Sequence, residues 1–236
     1  MEAQTGRDLA ARARRFVRAC DFGALATHSK RCPGYPFGSL VAFALDGDAC
    51  PVMLVSRLAE HSHNLESDPR ASLLVRRTSR DSLAEARVTL VAQARFHTPE
   101  PVLFERCLKH IPGARELLQL GDFFFILLQP VAIRYIGGFG AIHWIEPGDY
   151  APPPSEISDA EPRLFSAIAS ELATGLRELG RRGLGHEPAE LELIGLDCDG
   201  LDLRADGVRL RFDFERPLLK AEHAAGALAA LVKARS

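Results

Sequence analysis

No apolar run in this chain is longer than a β-strand. The longest, Phe123-Phe124-Phe125-Ile126-Leu127-Leu128, falls far short of the roughly 20 apolar residues that a membrane-spanning helix needs. The other runs are shorter and are separated by turn signals. Residues 24–27, 40–45 and 52–55 read as strands, with Asp46-Gly47-Asp48 between the last two as a hairpin signal. Residues 71–76 and 87–96 read as further strands; in the second, Val88, Leu90, Ala92 and Ala94 alternate with polar neighbours. Residues 122–136 form a long β-rich stretch interrupted by Pro130, expected at a bend or edge. Short helices fall between the strands: residues 6–20 after a Thr5 cap, residues 58–67 stopped by Asp68-Pro69, and a pair opened by Thr98-Pro99-Glu100 and divided at Ile111-Pro112-Gly113. Strict strand–helix alternation is absent, which argues against a doubly wound parallel sheet. The expected fold class is α+β, with a six-stranded antiparallel split β-barrel.

The 236 residues allow one large domain or two smaller ones. The prolines at 147, 152, 153 and 154 mark a linker. The expected division is 1–148 for the barrel, 149–160 for the linker and 161–236 for a small α-β-β-β-α domain. In that domain residues 162–182 read as one amphipathic helix, residues 191–196, 201–203 and 208–214 as strands, and residues 217–233 as a final helix.

Composition limits the function. With 29 Lys+Arg against 31 Asp+Glu, the net charge is −2, so binding to nucleic acid by bulk charge is not expected. The five cysteines form no CxxC pair, which argues against a disulfide framework or a structural zinc site and fits a reducing cytosol. The N-terminal residues lack the apolar core of a signal peptide. No metal site is expected, since His61 and His63 fall at i and i+2 of a helix and do not face each other. No GxGxxG or Walker loop occurs.

One segment offers chemistry. A buried strand ends at Val55, Ser56 and Arg57 follow at once, and the next helix carries His61 and Asn64 one turn apart. A hydroxyl, a guanidinium, an imidazole and open helix N-terminal amides suit a phosphate monoester; a capped helix with surface polar residues is the alternative.

Taken with Ala24-Leu-Ala-Thr27, Gly34-Tyr-Pro-Phe-Gly-Ser39, Asp68-Pro-Arg-Ala-Ser-Leu73, Arg87-Val-Thr-Leu90, Asp122-Phe123 and Gly137-Gly-Phe-Gly140 with Trp144, this segment resembles the pyridoxamine 5′-phosphate oxidase-like FMN-binding split barrels. Within them the chain is most similar to the heme-utilisation (HugZ-type) branch, including its small C-terminal α/β domain. The resemblance implies a homodimer with flavin sites at the subunit interface. Ser56, Arg57, His61 and Asn64 would hold the FMN phosphate, and Pro36, Phe37, Gly38 and Ser39 would run beside the ring. Gly138, Phe139, Gly140 and Trp144 would approach from the partner. The first reading is thus an FMN-dependent oxidoreductase with no nominated catalytic acid or base. The second is a heme-binding or heme-degrading protein using the same dimer cleft, with His143 or His223 as ligand. The third is a non-catalytic dimeric module. The branch usually carries a His-Met-Asn segment in the first tail helix; here that stretch reads Leu164-Phe-Ser-Ala-Ile-Ala-Ser-Glu-Leu172, and no histidine lies between His143 and His186.

Overall fold

Alternating apolar residues close the first strands into a barrel. The computed structural model describes residues 6–77, 85–138 and 141–233 and divides the chain into two units, Met1–Ala151 and Pro152–Ser236. In chain order the first unit comprises α1 (Gly6–Arg18), β1 (Phe22–His28), β2 (Pro36–Leu45), β3 (Pro51–Ser56), α2 (Glu60–Ser67), β4 (Arg70–Arg76), β5 (Arg87–His97), α3 (Pro101–His110), α4 (Ala114–Gln119), β6 (Phe123–Ile136), β7 (Ile142–Ile145) and α5 (Pro147–Tyr150). The strand order is β3-β2-β1-β4-β5-β6, every pairing is antiparallel, and β3 pairs again with β6, so six strands close on themselves. Closure removes the edges of these six strands, and β7, paired only with β6, is the edge that remains.

Strand periodicity sorts the side chains. Leu25, Val41, Phe43, Met53, Val55, Leu73, Val75, Val88, Leu90, Ile126, Leu128 and Ile133 fill the barrel. The opposite face is partly roofed: α3 and α4 cover Ala44, Val52, Leu54, Phe125 and Leu127 with Cys107, Ile111 and Ala114. The apolar stripe of α1, Leu9, Ala10, Ala13 and Val17, joins the barrel core. Arg14 is buried and donates from Nη1 to the carbonyls of Tyr150 (2.9 Å) and Ala151 (3.3 Å), tying α1 to the last turn of α5.

The expected bend at Pro130 has a local cause. The β3 pairing ends at Leu127, the β7 pairing starts at Ile133, and the register with β5 shifts at Val91/Ala92, opposite Pro130. A residue without an N–H sits where the ladder is already interrupted. The strand β7 was not expected from the sequence. Between β6 and β7 the Gly137 N–H bonds the Ala141 carbonyl (2.8 Å), and Gly138 has φ 118°. Phe139 and Gly140 lie outside the described residues.

The second unit comprises α6 (Ile157–Glu171), α7 (Ala173–Leu184), β8 (Leu191–Asp197), β9 (Gly200–Ala205), β10 (Val208–Asp213), a short 3₁₀ turn (Ala221–His223) and α8 (Ala224–Lys233). Its sheet order is β10-β9-β8, packed on the helices through Ile157, Ile168, Leu179, Leu196, Leu201, Leu203 and Leu228. The helix expected over 162–182 is two helices broken at Leu172, and the first starts at Ile157, inside the stretch read as linker. Ser155 Oγ accepts the Ile157 N–H (3.2 Å) and donates to the Leu218 carbonyl (2.9 Å), which fixes the helix start ahead of Pro162. Arg211, with its side chain 5% exposed, bridges Asp197 (2.7 Å) and Asp202 (3.0 Å). Asp197 also accepts the N–H groups of Asp199 and Gly200, so the acidic Asp197-Cys198-Asp199 turn is held by internal partners. Among the described residues no helix is long and apolar enough to cross a membrane.

Candidate functional site

Two surfaces of the barrel carry the residues expected to act. The first is the barrel end where β3 leaves and β6 enters, covered by α2. Ser56 is the last residue of β3; its hydroxyl donates to Asp122 Oδ2 (2.5 Å) and accepts the Leu58 N–H (3.0 Å). Arg57 donates its backbone N–H to the Asp122 carbonyl (2.8 Å). Its exposed guanidinium lies 4.9 Å from the centre of the Phe124 ring, which stacks on Phe96 at 5.1 Å. A cation over an aromatic face is a favourable electrostatic contact.

His61 and Asn64 both turn toward the barrel. His61 Nδ1 lies 3.2 Å from Ser39 Oγ, and its Nε2 is buried without a hydrogen-bond partner. Burial pushes the imidazole pKa below its ordinary value of 6.5, which favours the neutral ring. Asn64 is fully buried: its Nδ2 donates to Thr27 Oγ1 (3.0 Å) and its Oδ1 accepts the Lys30 N–H (2.8 Å). The amides at the start of α2 are engaged in part: no bond takes the Glu60 and His61 N–H groups. Leu58 N–H bonds Ser56 Oγ, Ala59 N–H bonds the Ser56 carbonyl, and the Ser62 and His63 N–H groups bond the Ala59 carbonyl. Glu60 adds an acid to the same first turn.

The second surface is the outer face of the sheet away from α3 and α4. The pairings align one row across six strands: Leu40, Ala24, Leu74, Thr89, Arg134 and Trp144. A parallel row runs Gly38, Ala26, Ser72, Val91 and Ala132. Leu40 is 76% exposed and Trp144 63% exposed, with the Arg134 guanidinium 5.0 Å from the indole centre. The small residues Ala24, Ala26 and Gly38 leave this face flat. His28, exposed at the end of β1 and paired with Pro36, continues the outward side of Ala24 and Ala26.

The chain therefore divides the expected residues. Ser39, Ser56, Arg57, His61 and Asn64 meet at the barrel end; Pro36, Gly38 and Trp144 lie on the outer face; Phe37, next to Pro36, is half-buried. Gly138 sits in the β6–β7 turn, at the opposite end of β6 from Asp122, so one chain does not bring the glycine turn to Ser56. His143 shares the face of buried Tyr135 and Ile145, and His223 stands exposed beside Glu222 (3.7 Å). Two residues escaped the sequence reading. Asp122 was quoted only within a motif, and His28 has a strand position that becomes informative once the register is known. The thiols of Cys50 and Cys107 are pushed up to about 12, chiefly by burial, so neither supplies a thiolate at neutral pH.

At the barrel end the Arg57 guanidinium and the Glu60 and His61 N–H groups are open, while the Ser56 hydroxyl hydrogen and the Asn64 amide are spent within the fold. The outer face presents an indole, small residues, a histidine, and Arg76, Arg87 and Arg134 on its outward side.

Comparison with known proteins adds three findings. The family model described as CREG, beta-barrel matches residues 4–152. The "Non-canonical heme oxygenase HOZ, chloroplastic" of Arabidopsis thaliana is 30% identical over 141 residues, covering 59% of this chain; the chain spans 43% of that protein's length. Among solved structures, a heme binding protein from Mycobacterium smegmatis aligns over 99% of this chain and 98% of its own, at 26% identity and a TM-score of 0.56. Protein Atu2129 of Agrobacterium tumefaciens, of unknown function, aligns over 94% of each chain at 27% identity and a TM-score of 0.71.

Proposed function

The chain belongs to the CREG β-barrel family, in the heme-utilisation branch of the split barrels, and from that premise we propose that it binds heme on the outer face of its barrel, as a homodimer. The observation that carries the reading is the uncovered row Leu40–Ala24–Leu74–Thr89–Arg134–Trp144. Its apolar members, Leu40, Ala24 and Leu74 at one side and Trp144 at the other, are costly in water unless a partner or a ligand covers them. A second copy laid on this face would bury them and form a cleft. Relatives whose names state heme chemistry or heme binding, one of them aligned along nearly its whole length, support heme as the ligand.

Bound heme would supply an iron that takes axial ligands and two carboxylates that seek cations. In this chain His28 is the outward-facing imidazole. Arg134, already over Trp144, is placed for a carboxylate. His143, which shares the inner face of β7, and His223 in the second unit are weaker choices.

The test is a hemin titration of the full chain followed by absorbance. The expected result is a saturable Soret shift that His28→Ala weakens by about tenfold or more, since a lost coordination bond is worth more than one ordinary contact. No shift with the unaltered chain overturns the heme reading. An unchanged shift with His28→Ala, lost instead in His143→Ala or His223→Ala, moves the ligand. The flavin reading has the weaker support, because the Ser56 hydroxyl hydrogen and the Asn64 amide are engaged within the fold.

A further inference from the structure

The barrel end has the outline of a phosphate cradle, yet a carboxylate stands in it. Asp122 Oδ2 takes the hydroxyl hydrogen of Ser56, and a serine has only one O–H to give. The Asp122 backbone carbonyl takes the Arg57 N–H. Arg57 is left with its guanidinium over Phe124, and Glu60 lies in the first turn of α2. A phosphate dianion here would meet the Arg57 guanidinium and the Glu60 and His61 N–H groups, but also the Asp122 carboxylate and a hydroxyl able only to accept. We propose that Asp122 is a specificity-determining residue that excludes phosphorylated flavin from the barrel end by holding the donor the phosphate would need and by opposing its charge.

The proposal concerns the barrel end alone and stands independently of heme on the outer face. Like charges placed together cost enough to reverse a binding preference. A site without phosphate recognition gives FMN no advantage over riboflavin, which has the same ring and no phosphate. Asp122→Ala frees the Ser56 hydroxyl and removes the charge. Asp122→Asn removes the charge and keeps an acceptor for Ser56, so the fold is retained even if the alanine variant is unstable. Both leave the backbone bond to Arg57 in place.

The experiment titrates FMN and riboflavin separately into the full chain and both variants, read by flavin fluorescence, with circular dichroism as the check on folding. The expected result is that the unaltered chain binds FMN no tighter than riboflavin, or neither measurably. At least one folded variant then gains about tenfold or more for FMN over riboflavin. An unaltered chain that already prefers FMN by about tenfold overturns the proposal, and so does the absence of a gain in every folded variant. Failure here leaves the hemin titration untouched, so the two readings fall separately.

Discussion

At the scale of single residues, the barrel end shows why residue type alone misleads. Ser56, His61 and Asn64 are the kinds of residue that hold anions, and their spacing in the sequence is suitable. Sequence spacing does not reveal which hydrogens are already given away. The Ser56 hydrogen goes to Asp122, a residue 66 positions away, and both polar atoms of Asn64 go to β1 and the loop after it. His61 is the titrating group of this cluster. Burial lowers its folded-state pKa below 6.5, so the unfolded chain binds a proton more readily between the folded value and 6.5. The stability His61 contributes is complete above pH 6.5 and is lost as the pH falls through that window. Denaturation curves from pH 7.5 downward should therefore show stability falling below pH 6.5. His61→Gln should flatten that part of the profile; an unaltered slope would mean that another group titrates there.

At the scale of elements, α2 is held to the barrel by Asn64 more than by its own sequence. It has eight residues, no side-chain cap on its N-terminus, and few apolar groups. Isolated helices of that length do not persist in water, so the anchor at Thr27 and Lys30 carries much of the placement. Asn64→Ala would remove the acceptor of the Lys30 N–H and the donor to the buried Thr27 hydroxyl. The expected loss is about 2 kcal/mol, because burying unsatisfied polar groups costs about 1–3 kcal/mol. Urea denaturation would measure it, and a stability change under about 0.5 kcal/mol would show that the side chain is not structural. The strands of the barrel were legible because alternation survives in Leu73, Val75, Val88 and Leu90 whatever surrounds them. Strand β7 was not, because a four-residue strand after glycines carries too short a period to read. The split of the tail helix at Leu172 was also hidden, since the apolar stripe runs on through Leu176 and Leu179 across the break.

At the scale of the whole molecule, the feature that joins fold to function is a surface that no single residue announces. Ala24, Ala26 and Gly38 look unremarkable in the sequence; the register turns them into the flat centre of an exposed face with Leu40 and Trp144 at either side. That face is proposed both to mate with a second copy and to form the heme cleft. The most direct test puts a charge on this face. Leu40 is largely exposed in the single chain, so Leu40→Glu should leave the barrel folded, as most surface substitutions do. The measurement is sedimentation of the full chain with and without hemin, monitored at both protein and Soret wavelengths. The unaltered chain should sediment as a dimer carrying the Soret absorbance, and Leu40→Glu as a folded monomer without it. An unaltered chain that sediments as a monomer, or a Leu40→Glu monomer that still carries heme, would contradict the account.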